Sequence, residues 1–201
     1  LTVAFRIILA IPHSLLQGVW GYVVQVTSLF QWFVIVFTGR RNEGLYRFHN
    51  SYLEYAARVS GYTSLLYDTW PGLATERRGE PVHFRMDYRA EANRLTTLLR
   101  LIWVIPALLV LMVFGFAAFF VLLVAWFMIL ITGSMPRGMF DFLVRVTRLS
   151  LALNAYMLLQ TDQYPLSAWD NAPTGVLPPG DFSNQPAGGD GWSAPTGERF
   201  G

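Results

Sequence analysis

Arg6 and Arg100 are the residues whose type and setting invite chemistry. Each is the lone charge in a long apolar run, Leu1–Thr38 for the first and Leu95–Gly133 for the second. A charge inside a membrane-length run is costly to keep and often functional. A guanidinium there has two uses. It can snorkel to the headgroups, one or two turns from the helix start. It can also hold a phosphate or carboxylate, such as a lipid headgroup in a basic pocket. Asp68 and Asp162 stand three residues before Pro71 and Pro165. They are expected to cap a turn, and the sharper alternative pairs them with Arg6 and Arg100. The three His, His13, His49 and His83, are scattered, and no HExxH or clustered carboxylate spacing accompanies them. Metal ligands are therefore expected to be none. GxSxG, Walker A and GxGxxG patterns are missing, and the chain has no Cys. Catalytic residues and cofactors are likewise expected to be none. Haem between helices would want paired His ligands, which the second run lacks.

The elements that must position these arginines are membrane elements. Hydrophobic residues make up 53% of the chain and charged residues 14%, against about 25% charge in an ordinary soluble domain. Leu95–Gly133 is far longer than the ~20 apolar residues that cross a bilayer once. A net charge of +2 with no dense basic run argues against nucleic acid. The sequence opens at Leu1 without Met or a charged leader, so it is expected to begin inside a longer gene product, with no cleavable signal.

Sliding the chain by 94 residues lays it on itself without a gap. Arg6 meets Arg100, Ile11-Pro12 meets Ile105-Pro106, and Gly21 meets Gly115. Trp32-Phe33 meets Trp126-Phe127, Thr38-Gly39 meets Thr132-Gly133, and Asp68 and Pro71 meet Asp162 and Pro165. Roughly 22 of about 74 paired positions are identical, which marks a duplication. The second copy reads RLIWVIP, AWFMILITG, RGMFDF and LLQTDQYP, and the first RIILAIPH, QWFVIVFTG, EGLYRF and LLYDTWP. This pattern resembles the bacterial membrane family catalogued as domain of unknown function 4389, in two tandem copies. The resemblance implies a small integral membrane protein and brings no reaction and no catalytic residues. The copies part at Arg40-Arg41-Asn42, where the second has Ser134-Met135-Pro136.

The organisation expected is membrane repeat 1 over 1–73, a linker over 74–94, membrane repeat 2 over 95–168 and a Gly/Pro-rich extended tail over 169–201. A block of 38 residues would be about 57 Å long as one helix, against a hydrocarbon layer of about 30 Å. Two readings fit. Each block is a hairpin of two short helices turning near Gly21 or Gly115, or a Pro separates an interfacial stub from one tilted span. Arg6, Arg94 and Arg100 lie near the block starts, and Arg40, Arg41 and Arg137 just past the ends. Both ends of each block are then drawn to the cytoplasmic side. Such repeats need an even number of crossings, which favours hairpins and a multi-pass protein of the bacterial plasma (inner) membrane.

Residues 44–67 and Met139–Leu159 read as amphipathic interfacial helices, with Glu54 and Arg58 able to pair at i, i+4. Val82, Phe84, Met86 and Tyr88 alternate with polar residues, which predicts a short β-strand over 82–88. From Asp170 onward Gly, Pro, Asn, Ser and Asp dominate, a composition that builds no core. Phe182, Trp192 and Phe200 are the expected partner-binding anchors of that tail. The fold class expected is thus all-α integral membrane, with two tandem repeats of hairpin plus interfacial helix. The function expected is a non-catalytic accessory subunit that packs against a larger membrane protein complex. The alternative is a lipid- or small-hydrophobe-binding protein, or a small transporter component, with Arg6 and Arg100 on headgroups. Membrane lipids are partners in both, and an enzyme is not expected.

Overall fold

The computed structural model describes residues 2–66, 86 and 88–169. Each apolar block is one uninterrupted helix, α1 over Thr2–Thr38 and α3 over Arg94–Thr132. Both continue without a break past their internal prolines, Pro12 and Pro106. Neither the hairpin expected inside each block nor the stub-and-span alternative forms. The reason lies in the residues at the expected bend. Val113–Phe120 holds nothing that ends a helix, and continuing the helix keeps every backbone group paired. Gly21 serves packing instead: a Cβ there would lie 3.0 Å from the Tyr52 hydroxyl.

The chain turns after each block. Gly39 and Gly133 take left-handed backbone angles, φ 72° and 75°, which glycine adopts without a Cβ clash. Their amides close the last turns on Ile35 and Ile129. Two shorter helices then return along the long ones, α2 over Glu43–Thr63 and α4 over Arg137–Met157. Asn42 caps α2 by accepting from the Leu45 amide at 3.1 Å, whereas Pro136 opens α4 with no side-chain cap. Both returning helices end alike. The Leu66 amide donates to the Gly61 carbonyl and Leu65 to Tyr62, and Gln160 and Leu159 repeat this on Ala155 and Tyr156. That double closure is the Schellman arrangement. Leu65 and Leu159 occupy its left-handed position at φ 60° and 63°, where a Cβ costs roughly 1–2 kcal/mol.

Aromatic and small apolar residues join the helices. Trp20 rests on Phe48, Tyr52 and Tyr55 at ring distances of 6.3, 6.0 and 5.7 Å. Phe114 rests on Phe142 at 6.4 Å and stacks on Trp169 at 4.2 Å. Val24, Leu53, Ala57, Leu151, Ala155 and Leu158 form a core shared by α1, α2 and α4. A second core joins Val104 and Ala107 of α3 to Leu153 and Tyr156 of α4. A short 3-10 turn, Pro165–Ala168, follows α4.

The repeats are antiparallel to one another. The last turns of α1 meet the first of α3, where the Trp32 indole donates to the Thr97 carbonyl at 3.0 Å and Ala92 N to Gly39 O at 3.1 Å. Along α2 and α4 the order is also reversed, with Ser64 facing Thr147 and His49 facing Gln160. In this ring α1 lies beside α3 and α2 beside α4. An approximate two-fold therefore runs from the α1–α3 side to the α2–α4 side.

No strand occurs among the described residues, and only an isolated bridge joins Arg40 to Glu91. Of the strand expected over 82–88, Met86 and Tyr88 are described and neither is in one. They serve side-chain contacts instead. The Tyr46 hydroxyl donates to Met86 O at 3.1 Å, and the Tyr88 hydroxyl to Arg41 O at 2.8 Å.

Two sides of the ring differ in polarity. Large apolar side chains stand exposed along the described part of α1, from Ile11 to Phe37, and along α3, from Leu95 to Ile131; Phe116 is 69% and Ile131 81% exposed. By length and composition, Ala10–Thr38 and Arg94–Thr132 suffice to cross a membrane.

Candidate functional site

Arg100 lies two turns into α3, and its guanidinium points into the protein. Nη1 donates to the carbonyls of Tyr156 and Thr161, the latter at 3.0 Å, and Nη2 donates to Asp162 Oδ1 at 2.6 Å. Its Cζ stands 4.2 Å from the centre of the Tyr156 ring, a cation–π placement. Of the two expectations for Asp162, the pairing with Arg100 is what forms. Asp162 also accepts from the Asn93 amide at 3.4 Å, and Asn93 Oδ1 caps α3 on Leu95 and Thr96.

A second arginine completes the cluster. Arg41 Nε donates to Leu159 O at 2.7 Å, and Nη1 to Arg89 O at 3.1 Å and Glu91 O at 2.6 Å. Its Nη2 lies 2.8 Å from Asp162 Oδ2. Arg41 and Arg100 are buried, at 5% and 3% exposure, and the Asp162 side chain is 30% exposed. The left-handed Leu159 thus has a visible use: its carbonyl receives Arg41. In the sequence Arg41 stands out only as a departure between copies. Its partners lie 48 to 121 residues away, so no local period announces it. The one signal is a charge at Arg41 where the second copy carries Met135.

Two guanidiniums around one carboxylate leave one net positive charge. Both carboxylate oxygens are taken, Oδ1 by Arg100 and Oδ2 by Arg41 and the Asn93 backbone amide. Breaking a buried ion pair by removing one partner is strongly destabilising. What this cluster can do is hold repeat 1 to repeat 2 and both to the chain entering α3.

A line of polar contacts continues along α1 and α2. His13 Nδ1 lies 2.8 Å from the Tyr55 hydroxyl. His49 Nε2 lies 2.9 Å from Thr27 Oγ1, and its Nδ1 3.4 Å from Gln160 Nε2. One neutral tautomer satisfies both contacts of His49. Nε2–H donates to Thr27, whose own proton goes to the Val23 or Val24 carbonyl, and Nδ1 accepts from Gln160. Gln31 Oε1 accepts from Asn42 N at 3.3 Å. Among the described residues no three His, Asp or Glu come together as metal ligands.

At the start of α3, Ile102, Trp103, Pro106 and Tyr164 line an apolar hollow of about 360 Å³. Arg6 lies on α1, and its side chain is outside the described residues, as are Asp68, Phe182, Trp192 and Phe200. The family model described as "Domain of unknown function (DUF4389)" matches residues 1–73 and again residues 94–168. Neither a curated protein nor a solved structure matches the chain.

Proposed function

The chain belongs to the DUF4389 family, whose unit it carries twice, and we propose that it is a non-catalytic accessory subunit of a bacterial plasma-membrane complex. The observation that carries this reading is the apolar exposure of α1 from Ile11 to Phe37 and of α3 from Leu95 to Ile131. Soluble monomers rarely expose contiguous apolar patches beyond a few hundred Å². Lipid or a greasy partner is the solvent such a surface fits. The Arg41–Asp162–Arg100 cluster supports a structural role, because its groups are engaged with one another and with backbone carbonyls. Phe182, Trp192 and Phe200 would extend the contact with the larger complex. The test is extraction from native membranes in mild detergent, followed by sizing under non-denaturing conditions. Co-migration with a larger membrane assembly is the expected result. Migration alone, as a 22.8 kDa species, would overturn the subunit reading.

A second reading is favoured by the hollow at Ile102, Trp103, Pro106 and Tyr164. There the protein binds a lipid or another small hydrophobe, with an acyl chain in the hollow. Native mass spectra of the wild type and of a Trp103→Ala variant decide it. Lipid adducts lost in the variant support this reading, and adducts unchanged count against it.

A further inference from the structure

We infer that α1 and α3 lie flat in one leaflet of the bilayer, with α2 and α4 above them at the headgroups, and that neither long helix crosses. The inference rests on the membrane reading and specifies its geometry: the partner of the α1–α3 face is a single lipid leaflet.

Four observations converge on it. The first is the level of the exposed charges. Phe48 packs on Trp20, the middle residue of α1, and its neighbour Arg47 is exposed and paired with the exposed Glu43 at 2.5 Å. Phe142 packs on Phe114, beside the middle of α3, and its neighbour Asp141 is exposed, as is Arg145 one turn on. Were α1 and α3 upright, these charges would face lipid between the middle of the helices and the headgroups, within or at the edge of the hydrocarbon, where a charge is costly. Laid flat, the same charges stand on the water side. The approximate two-fold then coincides with the membrane normal, and both repeats meet the lipid in the same way.

The second observation is length. α1 and α3 have 37 and 39 residues, about 55 Å and 58 Å at 1.5 Å per residue. That far exceeds the ~30 Å hydrocarbon core, and the exposed apolar residues of α3 continue to both of its ends. Flat, a helix about 10 Å thick fits inside a leaflet of about 15 Å, half that core.

The third is connectivity. Met86 sits beside Tyr46 at the start of α2, and Leu66 follows its end. The described ends of that connection thus lie at opposite ends of α2. An upright hairpin would set them on opposite faces of the bilayer, although the sequence between them holds Glu76, Arg77, Arg78 and Glu80.

The fourth is the charge pattern. Arg94 lies at the start of α3, and Arg137 follows its end at the start of α4. The positive-inside tendency draws both ends to one side. An even number of crossings satisfies this, and zero is even.

The absence of Cys makes single-cysteine labelling clean. Ala92→Cys and Ser134→Cys bracket α3, and an impermeant maleimide is applied to each side of sealed vesicles. The inference expects both sites to react from the same side. It also expects bimane on cysteines at Leu98, Phe116 and Leu130, all exposed, to be quenched about equally by a doxyl group at one shallow acyl position. Reaction of Ala92→Cys and Ser134→Cys from opposite sides, with quenching at Phe116 deepest, would overturn the flat placement while leaving the membrane reading intact. No quenching at any of the three would overturn both. Subunit status is read independently by sizing, so a lone 22.8 kDa species lying flat in the leaflet defeats the accessory role and keeps this geometry.

Discussion

The two repeats share a backbone and differ in what fills it. Gly39 and Gly133 turn at φ 72° and 75°, and Leu65 and Leu159 at 60° and 63°. Trp20 meets Phe48 at 6.3 Å where Phe114 meets Phe142 at 6.4 Å. Yet the first repeat joins its helices with His13–Tyr55, Thr27–His49 and Gln31–Asn42. At the equivalent positions the second has Ala107 and Leu149, Val121 and Leu143, Ala125 and Pro136. One hydrophobic pattern and one pair of turns therefore serve both copies, and these three polar pairs between long and short helix are replaced by apolar residues in the second. The ends differ too. Arg41 ties repeat 1 to Asp162, while its counterpart is Met135.

The sharpest way to break this comparison is at the shared aspartate. Asp162→Asn leaves Arg41 and Arg100 buried without a counter-charge, and it should lower unfolding free energy by about 3 kcal/mol. Denaturant titration in detergent reads the change; a loss under about 1 kcal/mol would deny the cluster its structural role. Arg41→Met, which copies the second repeat, should cost less, about 2 kcal/mol. Asp162 keeps Arg100, but the carbonyls of Arg89, Glu91 and Leu159 lose a donor. A loss equal to that of Asp162→Asn would mean that Arg100 alone holds nothing.

The histidine pair sharpens the comparison on a smaller scale. His49→Leu leaves the Gln160 side-chain amide only the Leu158 carbonyl, at 3.4 Å, and should cost about 1 kcal/mol. Combining it with Thr27→Val and Gln160→Leu should recover most of that, because apolar replacement of all partners is nearly neutral. Failure to recover would show that repeat 1 needs its polar pairs. The smallest difference is expected at the turns. Gly39→Ala and Gly133→Ala should each cost about 1 kcal/mol for the left-handed backbone. Gly39 should exceed Gly133 by only a few tenths of that. Its Cβ would meet Arg94 Nε at 2.9 Å, where Gly133 has open space, and the exposed Arg94 can move aside.

Much of this architecture is legible in the residues. The 94-residue offset, the two long apolar elements and the two shorter helices after them come from patterning that survives in both copies. A turn inside each block is expected only when block length is compared with bilayer thickness. The stronger local signal is Gly39 and Gly133 after an unbroken apolar run, with Asn42 ready to cap the next helix. The pairing of Arg100 with Asp162 can be named from their shared spacing to Arg6 and Asp68. Arg41 cannot, since its role depends on the antiparallel meeting of the repeats. The strand over 82–88 satisfies a period of two, but nothing in the sequence supplies a partner strand.

The central claim is that the outer faces of α1 and α3 rest in lipid. Phe116, exposed at the middle of α3, tests it most directly. In native membranes a Phe116→Cys chain should resist carbonate extraction and leave a water-soluble maleimide unreacted until detergent is added. Release of the chain by carbonate, with full labelling of Phe116→Cys beforehand, would contradict the account.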